Sequence, residues 1–404
     1  MTTDYKPKYL MMVTADANNN KYYRMVPNGD GTWTAEYGRV GANPQKATYP
    51  LAQWEKKYNE KVRKGYVDQS DLVEDLIQEK KTDKDKTYKE IENEAIREIV
   101  QKLQDMANRA IKDNYTISSE KVTQAMIDEA QNILTELLTI KTVKTFNDRL
   151  IKLFGVIPRK MSNVKDYLAS KADDFGDIIQ KEQDLLDVMK GQVVQKAAID
   201  KEEKPLNDCT ILEKLGLEFE ECDKKDLARI KSCLGSEASR LNRAWKVTNK
   251  ATRERYEKFV KENDIKETKL LFHGSRNENW WSIIQTGLVL KPTNAVITGK
   301  MFGYGIYYAP SARKSMGYTS LSGSYWARGN SNVGYMALMD VAYGPPYDVY
   351  VFDSKYYNFN YEALQKACPG ANCLHAHAGS MLRNDEIIIY KEEQCTIKYL
   401  IELK

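Results

Sequence analysis

Residues 270–318 read LLFHGSRNENWWSIIQTGLVLKPTNAVITGKMFGYGIYYAPSARKSMGY, and the fold of the whole chain turns on them. Leu270, Leu271 and Phe272 have the look of a short buried strand that stops at His273-Gly274-Ser275. His273 is one of three histidines in 404 residues. Gly274 has no Cβ, so a ligand could come close to the backbone there. Gly303-Tyr304-Gly305 leads into a strand-like aromatic run, Ile306-Tyr307-Tyr308-Ala309. It is no phosphate loop, because it lacks the glycine spacing of either nucleotide-binding motif. Lys314, Ser315 and Tyr318 are spaced for one helix face. Each piece alone has a plain structural reading, His273 as a strand-end histidine and the tyrosines as core.

Downstream, Asn384-Asp385-Glu386-Ile387-Ile388-Ile389-Tyr390 puts two carboxylates at the head of an apolar strand. On a strand, Asp385 and Glu386 face opposite ways, and either would do as a solvated edge charge. Between these stretches lies CPGANCLHAH, with Cys368, Cys373, His375 and His377 as four conceivable metal ligands. The C-x4-C-x-H-x-H spacing matches no standard zinc module, and alternating histidines on a strand point the same way. The expectation is no metal.

Upstream, residues 1–66 hold eleven Lys/Arg against six Asp/Glu, a net of +5 against +4 for the whole chain. The remainder is therefore near −1, and the basic character belongs to this first module. Strands are expected at Lys8–Thr14, Lys21–Val26 and Thr32–Val40, with turns at Asn18-Asn19-Asn20 and Asn28-Gly29-Asp30-Gly31. A basic helix follows from Leu51 to Lys64, with Gly65 beyond its end. Residues 69–87 form a polar linker ending in QEKKTDKDKT.

From residue 88 to about 200 the period is helical. Ile91, Ile96, Val100, Leu103, Ala107 and Ile111 make one stripe, and Ser119 is placed to cap a second helix carrying Met126, Ile133 and Leu137. A third helix stops at Gly155; a fourth segment is capped by Ser162 and ends near Gly191. No histidine or cysteine occurs between 69 and 208, which leaves this bundle without a metal or nucleophile. The rest, 201–404, mixes strands and helices. Leu206–Lys269 reads as an entry strand and two helices, with strands after it at Tyr335–Tyr343, Tyr347–Asp353, Glu386–Tyr390 and Thr396–Leu403. With 29% charged and 42% hydrophobic residues, no signal-peptide pattern, no apolar run of membrane length and six scattered cysteines, the expectation is a soluble intracellular protein with reduced thiols.

HGS, MFGYGIYYA, KSxxY and NDEIIIY, in this order, resemble the catalytic domain of the DNA-dependent poly(ADP-ribose) polymerases. Tyr37-Gly38-Arg39-Val40-Gly41 resembles the signature of their WGR domain, with Tyr37 in place of the Trp, and LTELLTIKTVKTFNDRLIKLFGVIP resembles their regulatory helices. The resemblance implies an α+β multidomain chain. It would comprise a small β-rich WGR-like domain (1–68), a linker (69–87), an all-helical regulatory bundle (88–200) and a split antiparallel-sheet ADP-ribosyltransferase domain (201–404). It implies NAD as substrate, with no metal. His273 and Ser275 would hold the adenosine ribose, and Gly274 and Ser315 the carboxamide. Tyr307 and Tyr318 would flank the nicotinamide, Met301 would also belong to the NAD-binding set, and Glu386 would be the catalytic carboxylate, held ionised by Lys314. Broken or nicked DNA would meet Tyr37, Arg39, Lys56 and Lys57, together with Lys61, Arg63 and Lys64, and Asp187 would be a gating residue. The protein would modify protein acceptors including itself, act as a monomer off DNA, touch no membrane and be DNA-associated, in a nucleus or a bacterial nucleoid. Three departures, Val289, Lys300 and Tyr304, stand where best-known members carry a basic, an aromatic and a Lys residue. They bear on chain length, so a mono-transferase of the same fold remains the alternative, with an inactive DNA-end sensor behind it.

Overall fold

The computed structural model describes residues 5–73, 88–115, 122–200, 208–290, 301–325, 328–379 and 382–404, with backbone only for 73 and 196–200. Two compact units emerge: Met1–Lys84 with Ala110–Val193, and Asp85–Arg109 with Val194–Lys404. Ser119, most of the linker including its QEKKTDKDKT run, and the loop residues 291–300, with Lys300, lie outside the described residues.

The first unit opens with a five-stranded antiparallel sheet in the order β4-β3-β2-β1-β5. Its strands are β1 (Lys8–Thr14), β2 (Asn19–Pro27), β3 (Thr32–Arg39), β4 (Gln45–Pro50) and β5 (Val67–Asp68). The first three follow the expected pattern. β4 escaped prediction because its side chains are exposed or half-exposed, so it has no apolar alternation to read. The basic helix Trp54–Arg63 docks on this sheet through Trp54, whose ring meets Trp33 edge-on at 5.3 Å. Both indoles are buried, and Gly65 turns the chain at φ +91°.

The helices Gln124–Leu137 and Val143–Val156 pack through Met126, Ile133, Leu137, Phe146, Leu150 and Leu153, all buried. Thr123 is the cap of the first, its hydroxyl accepting from the Met126 N–H, and Thr142 caps the second. The last long helix runs Phe175–Asp200, neither starting after Ser162 nor ending near Gly191. Residues 164–167 and 172–174 make 3-10 turns instead, and Gly191 is buried mid-helix. A glycine there weakens a helix by only about 0.8–1 kcal/mol relative to Ala, too little to stop one that packs.

The second unit contains two sheets. One has the order β6-β7-β14-β10-β8, the other β11-β12-β13-β9. The strands are β6 (Leu217–Glu221), β7 (Leu241–Asn249), β8 (Thr268–Gly274), β9 (Ile306–Tyr308), β10 (Gly334–Ala342), β11 (Pro346–Val349), β12 (Cys373–Ala376), β13 (Glu386–Ile389) and β14 (Cys395–Leu403). The expected entry strand and two helices are β6, Lys224–Leu234 and Lys250–Glu262, with β7 as an additional strand between the helices. All but one residue of β10 are buried, because both faces of this strand are covered. Every pairing is antiparallel except β11 with β12, so the sheet pair departs from the expected all-antiparallel core at one edge. The first turns of the helix Glu94–Asn114 belong to this unit. Their stripe Ile96, Val100, Leu103 and Ala107 is buried, and Lys102 Nζ reaches buried Glu402 Oε2 at 2.9 Å. Ile91 lies before the helix and is only half-buried. No described helix is long and apolar enough to cross a membrane.

Candidate active site

A backbone bridge joins the two sheets of the second unit. Phe272 of β8 and Ala309, just after β9, exchange backbone hydrogen bonds of 2.9 and 3.1 Å. That bridge brings the end of β8, with His273 and Gly274, against the Tyr307-Tyr308 run. His273 Nδ1 donates to the Tyr307 carbonyl at 3.0 Å, which fixes the ring and puts the proton on Nδ1. β9 in turn pairs with β13, Tyr307 opposite Ile388. Glu386, two residues from Ile388, is on the same face as Tyr307. His273, Tyr307 and Glu386 are thus assembled by two pairings: a bridge and a three-residue register.

Each glycine of the motifs has a local reason. A Cβ on Gly274 would lie 1.9 Å from the Ser315 carbonyl oxygen. The helix Ala312–Met316 therefore occupies the place a side chain would take at Gly274, and the missing Cβ lets the two segments pack closely. Gly303 sits at φ +74°, and a Cβ there would strike the Phe359 backbone at 2.1 Å; on Gly305 it would meet Ile388 Cγ2 at 2.1 Å. The turn between them is pinned by the Tyr307 hydroxyl, which donates to Gly303 O and accepts from Phe302 N, each at 3.0 Å. Tyr304 bonds Asn358 Oδ1 through its hydroxyl at 3.0 Å. Met301 packs on the apolar cluster around Phe302, Tyr356 and Phe359.

Lys314 and Ser315 come from the short helix Ala312–Met316; Tyr318 lies just past its end rather than on its face. Ser315 is buried and donates its hydroxyl to Phe272 O at 3.1 Å. The Ser275 hydroxyl accepts from Asn279 Nδ2 at 3.0 Å. Lys314 Nζ pairs with Glu386 Oε1 and also reaches the Asn384 carbonyl at 3.4 Å.

Glu386 is 5% exposed. Burial raises its carboxyl above the ordinary glutamate range, and the Lys314 ammonium opposes that shift without cancelling it. The expected pairing is present, and burial outweighs it in setting the direction of the shift. Its second oxygen, Oε2, is buried with no hydrogen-bond partner among the described residues. An unpartnered buried carboxylate oxygen is costly, and a substrate hydroxyl would satisfy it. Burial, and then Glu386, push the Tyr318 hydroxyl up to about 12, and burial raises Tyr307 as well, so both rings stay neutral. The neutral rings are suited to stacking on a planar heterocycle.

Asp385 goes the other way. Burial pushes its carboxyl up, but the Ala378 N–H and His375 outweigh that and leave it below the ordinary aspartate range. Its oxygens accept from Ala378 N and pair with His375 Nε2, away from Lys314. The sulfur half of the possible metal set does not join the histidines. Cys373 is buried with its thiol donating to Tyr343 O at 3.0 Å, and Cys368 packs on the apolar cluster around Phe302 and Tyr356.

In the first unit, Arg39 differs most from expectation. Nη1 donates to Asn18 O at 2.7 Å, and Nη2 to Met161 O and Ser162 O at 3.1 and 2.9 Å. Its guanidinium ties β3 to the segment before the long helix. Sequence reasoning missed this because the acceptors are carbonyls 122 and 123 residues away. Tyr37 stacks on Tyr23 at 5.5 Å, and Lys61 Nζ lies over Tyr23 at 4.2 Å. Lys57 sits over Tyr49 at 5.0 Å and pairs with Glu60 at 3.7 Å, while Lys56 is exposed. Asp187, on the long helix, accepts from Gln183 Nε2 at 3.0 Å.

Comparison with known proteins agrees with this layout. Residues 218–404 match the poly(ADP-ribose) polymerase catalytic domain, and residues 7–73 match the WGR domain. Protein 101L of Invertebrate iridescent virus 6 is 35% identical over 187 residues, 46% of this chain and 76% of that one. A poly(ADP-ribose) polymerase-like protein of the same virus, 100L, is 34% identical over 158 residues, covering 37% of this chain and 78% of its own. Poly(ADP-ribose) polymerase 1 of Danio rerio is 24% identical over 329 residues, 74% of this chain but 30% of the fish protein.

Proposed function

Because this chain belongs to the poly(ADP-ribose) polymerase family, we propose that it is a DNA-break-stimulated enzyme that builds ADP-ribose chains on protein acceptors, itself included. Its second unit is an NAD+ ADP-ribosyltransferase. The observation that carries the finer reading is Glu386: a buried carboxylate, paired on one oxygen with Lys314 and, among the described residues, unpartnered on the other.

Breaking the nicotinamide–ribose bond develops positive charge at the anomeric carbon, and the site must hold ring, ribose and carboxylate in register. In this proposal Oε2 of Glu386 takes a ribose hydroxyl, and in elongation orients the attacking hydroxyl of the growing chain. Tyr318 and Tyr307 flank the nicotinamide. Gly274, through its backbone, and Ser315 hold the carboxamide, the latter by turning its hydroxyl away from Phe272 O. His273 and Ser275 take the adenosine ribose. Met301 lines the pocket.

The functional division follows the same order. Residues 1–68 engage broken or nicked DNA through Tyr37 and the lysines, 69–87 link, 88–200 regulate with Asp187 as the gating residue, and 201–404 catalyse. The protein acts as a monomer off DNA and is DNA-associated in the cell. Gating requires DNA to favour the open state over the closed one. Unchanged hydrogen exchange in 88–190 under saturating nicked DNA would remove the gate from this reading.

The deciding experiment is incorporation of labelled NAD into protein, with and without nicked duplex DNA, resolved by size. A high-mass smear that needs DNA supports the proposal whole. A discrete band means mono-transfer, with Tyr304, Val289 and Lys300 as the residues to revert. No incorporation in either arm overturns the enzymatic reading of this chain.

A further inference from the structure

We propose that Asp348, His375 and His377 form a divalent-metal site, best suited to Zn2+, on the side of the catalytic strand opposite Glu386. The three residues are gathered by topology. β11 and β12 pair in parallel with Asp348 directly opposite His375, and His377 follows β12 with its N–H on Val349 O at 2.8 Å. One ligand atom from each residue lies within 4.8 Å of the other two.

The separations suit a shared ion. Asp348 Oδ1 is 2.7 Å from His377 Nε2 and 3.8 Å from His375 Nδ1. Ligands on a tetrahedral zinc at ~2.0–2.1 Å stand about 3.3 Å apart, between those two values. The imidazoles are stacked at 3.9 Å with 25° between planes, and Tyr350 stacks on the outer face of His377 at 4.4 Å and 7°. Because a nitrogen lone pair lies in its ring plane, one of these rings must turn out of the stack for both to meet a shared ion. Asp348 is exposed and His377 half-exposed, which leaves an entry path and a coordination position for water.

The surroundings are those of a metal-bound histidine. Such a ring donates its other nitrogen to a carboxylate or carbonyl. Here His375 Nε2 meets Asp385 Oδ2 at 2.9 Å, and His377 Nδ1 lies 3.8 Å from the same oxygen. Both rings therefore turn one nitrogen to Asp348 and the other to Asp385. The Tyr343 hydroxyl, 2.7 Å from His375 Nδ1, holds the position that the ion would take over. Imidazole nitrogens with one carboxylate favour Zn2+ among the common divalent ions and disfavour Mg2+ and Ca2+. Asp385 directly precedes Glu386 and opens onto the opposite face, so the ion would brace the strand that presents the catalytic carboxylate.

The test is titration of chelator-stripped full-length protein with Zn2+, and with Co2+ as a spectroscopic probe. Wild type is expected to bind one ion with a rise in melting temperature. His377→Ala and Asp348→Asn, both at accessible positions, should each weaken binding at least tenfold while circular dichroism stays native. Asp385→Asn should cost about 10–100-fold. Cys368→Ser should change nothing, and the Co2+ spectrum should lack thiolate-to-metal charge transfer. Equal binding by wild type and the His377→Ala/Asp348→Asn double variant would overturn the proposal. So would a thiolate band, or no binding at all, which would leave the two histidines as a proton-bridged pair between aspartates.

Discussion

The sheet that carries Arg39 and the sheet pair that carries Glu386 were marked by equally short motifs, yet the two motifs behave differently. In the catalytic unit, His273, Tyr307, Lys314 and Glu386 converge through a bridge at Phe272–Ala309, the β9–β13 register and one ion pair. In the N-terminal unit, the arginine of Tyr-Gly-Arg-Val-Gly binds three backbone carbonyls and leaves the basic helix to face solvent. A motif residue can mark chemistry in one place and architecture in another. The difference lies in what its polar atoms still lack. Glu386 has an oxygen in want of a donor, whereas the guanidinium of Arg39 is occupied by protein acceptors.

The largest expected effect tests the catalytic side. Glu386→Gln keeps the shape and removes the charge, and should lower kcat for ADP-ribosyl transfer about 10²–10³-fold, the scale of losing one preorganised electrostatic group. NAD binding, measured by quenching or calorimetry, should survive. A variant with near wild-type turnover would reduce Glu386 to a strand-edge charge. The pH profile sharpens the point. Burial raises the Glu386 pKa, so the ionised form is reached only above the ordinary glutamate range, and kcat/KM should fall as pH drops through that raised value. Lys314→Met removes the opposing charge, which raises the pKa further. The acid limb should therefore move to higher pH. In stability terms the sign agrees: the folded state holds this proton more tightly, so the Glu386 contribution weakens as pH rises.

Gly274→Ala is the next in size. The added methyl has the Ser315 carbonyl 1.9 Å away, on backbone that cannot swing aside. Displacing the helix Ala312–Met316 should cost about 1–3 kcal/mol, visible in urea unfolding, and should also misplace Lys314 and Ser315. If stability holds and only KM for NAD rises, the glycine serves the ligand after all, as its place in the motif first suggested.

The legible parts were those whose signal is local. β1, β3, β10, β13 and β14 alternate or run apolar, and the HGS and GYG motifs sit at the end of β8 and just before β9. Asp385 and Glu386 were assigned to opposite faces from strand periodicity alone, and their partners, His375 and Lys314, are on opposite sides. What stayed hidden depends on pairing between distant segments. β4 and β7 lack a readable apolar pattern, since four of the six β4 residues are exposed and Asn242 and Arg243 near the start of β7 are exposed too. Asp348 could not be linked to the histidines without knowing that β11 and β12 run parallel. The start of the last long helix was misread because Ser162 looks like a cap, while its carbonyl in fact receives Arg39 and Asn18.

Arg39→Ala bears directly on the contrast. Removing a guanidinium that serves Asn18, Met161 and Ser162 carbonyls should destabilise the first unit by about 1–3 kcal/mol, read by its thermal or urea transition. The salt dependence of binding to nicked duplex should keep its slope, because no phosphate contact is lost. The reverse pattern, native stability with a slope reduced by about 1, would place Arg39 on DNA and make the two motifs alike.

The smallest effect belongs to the exposed face of the basic helix. Lys56 is exposed, and Lys57, half-buried over Tyr49, shares its charge with Glu60 at 3.7 Å. If both meet phosphates, Lys56→Ala and Lys57→Ala should each reduce the slope of log K against log salt by about 1 and weaken binding evenly across sequences. Lys57 should show the smaller loss, since to meet a phosphate it must leave Glu60, which keeps Lys64 at 2.7 Å. Folding should barely change, because surface charges of this kind contribute about 0–1 kcal/mol. That pair of outcomes, slope without stability here and stability without slope at Arg39, separates a surface that meets DNA from the residue that holds it in shape.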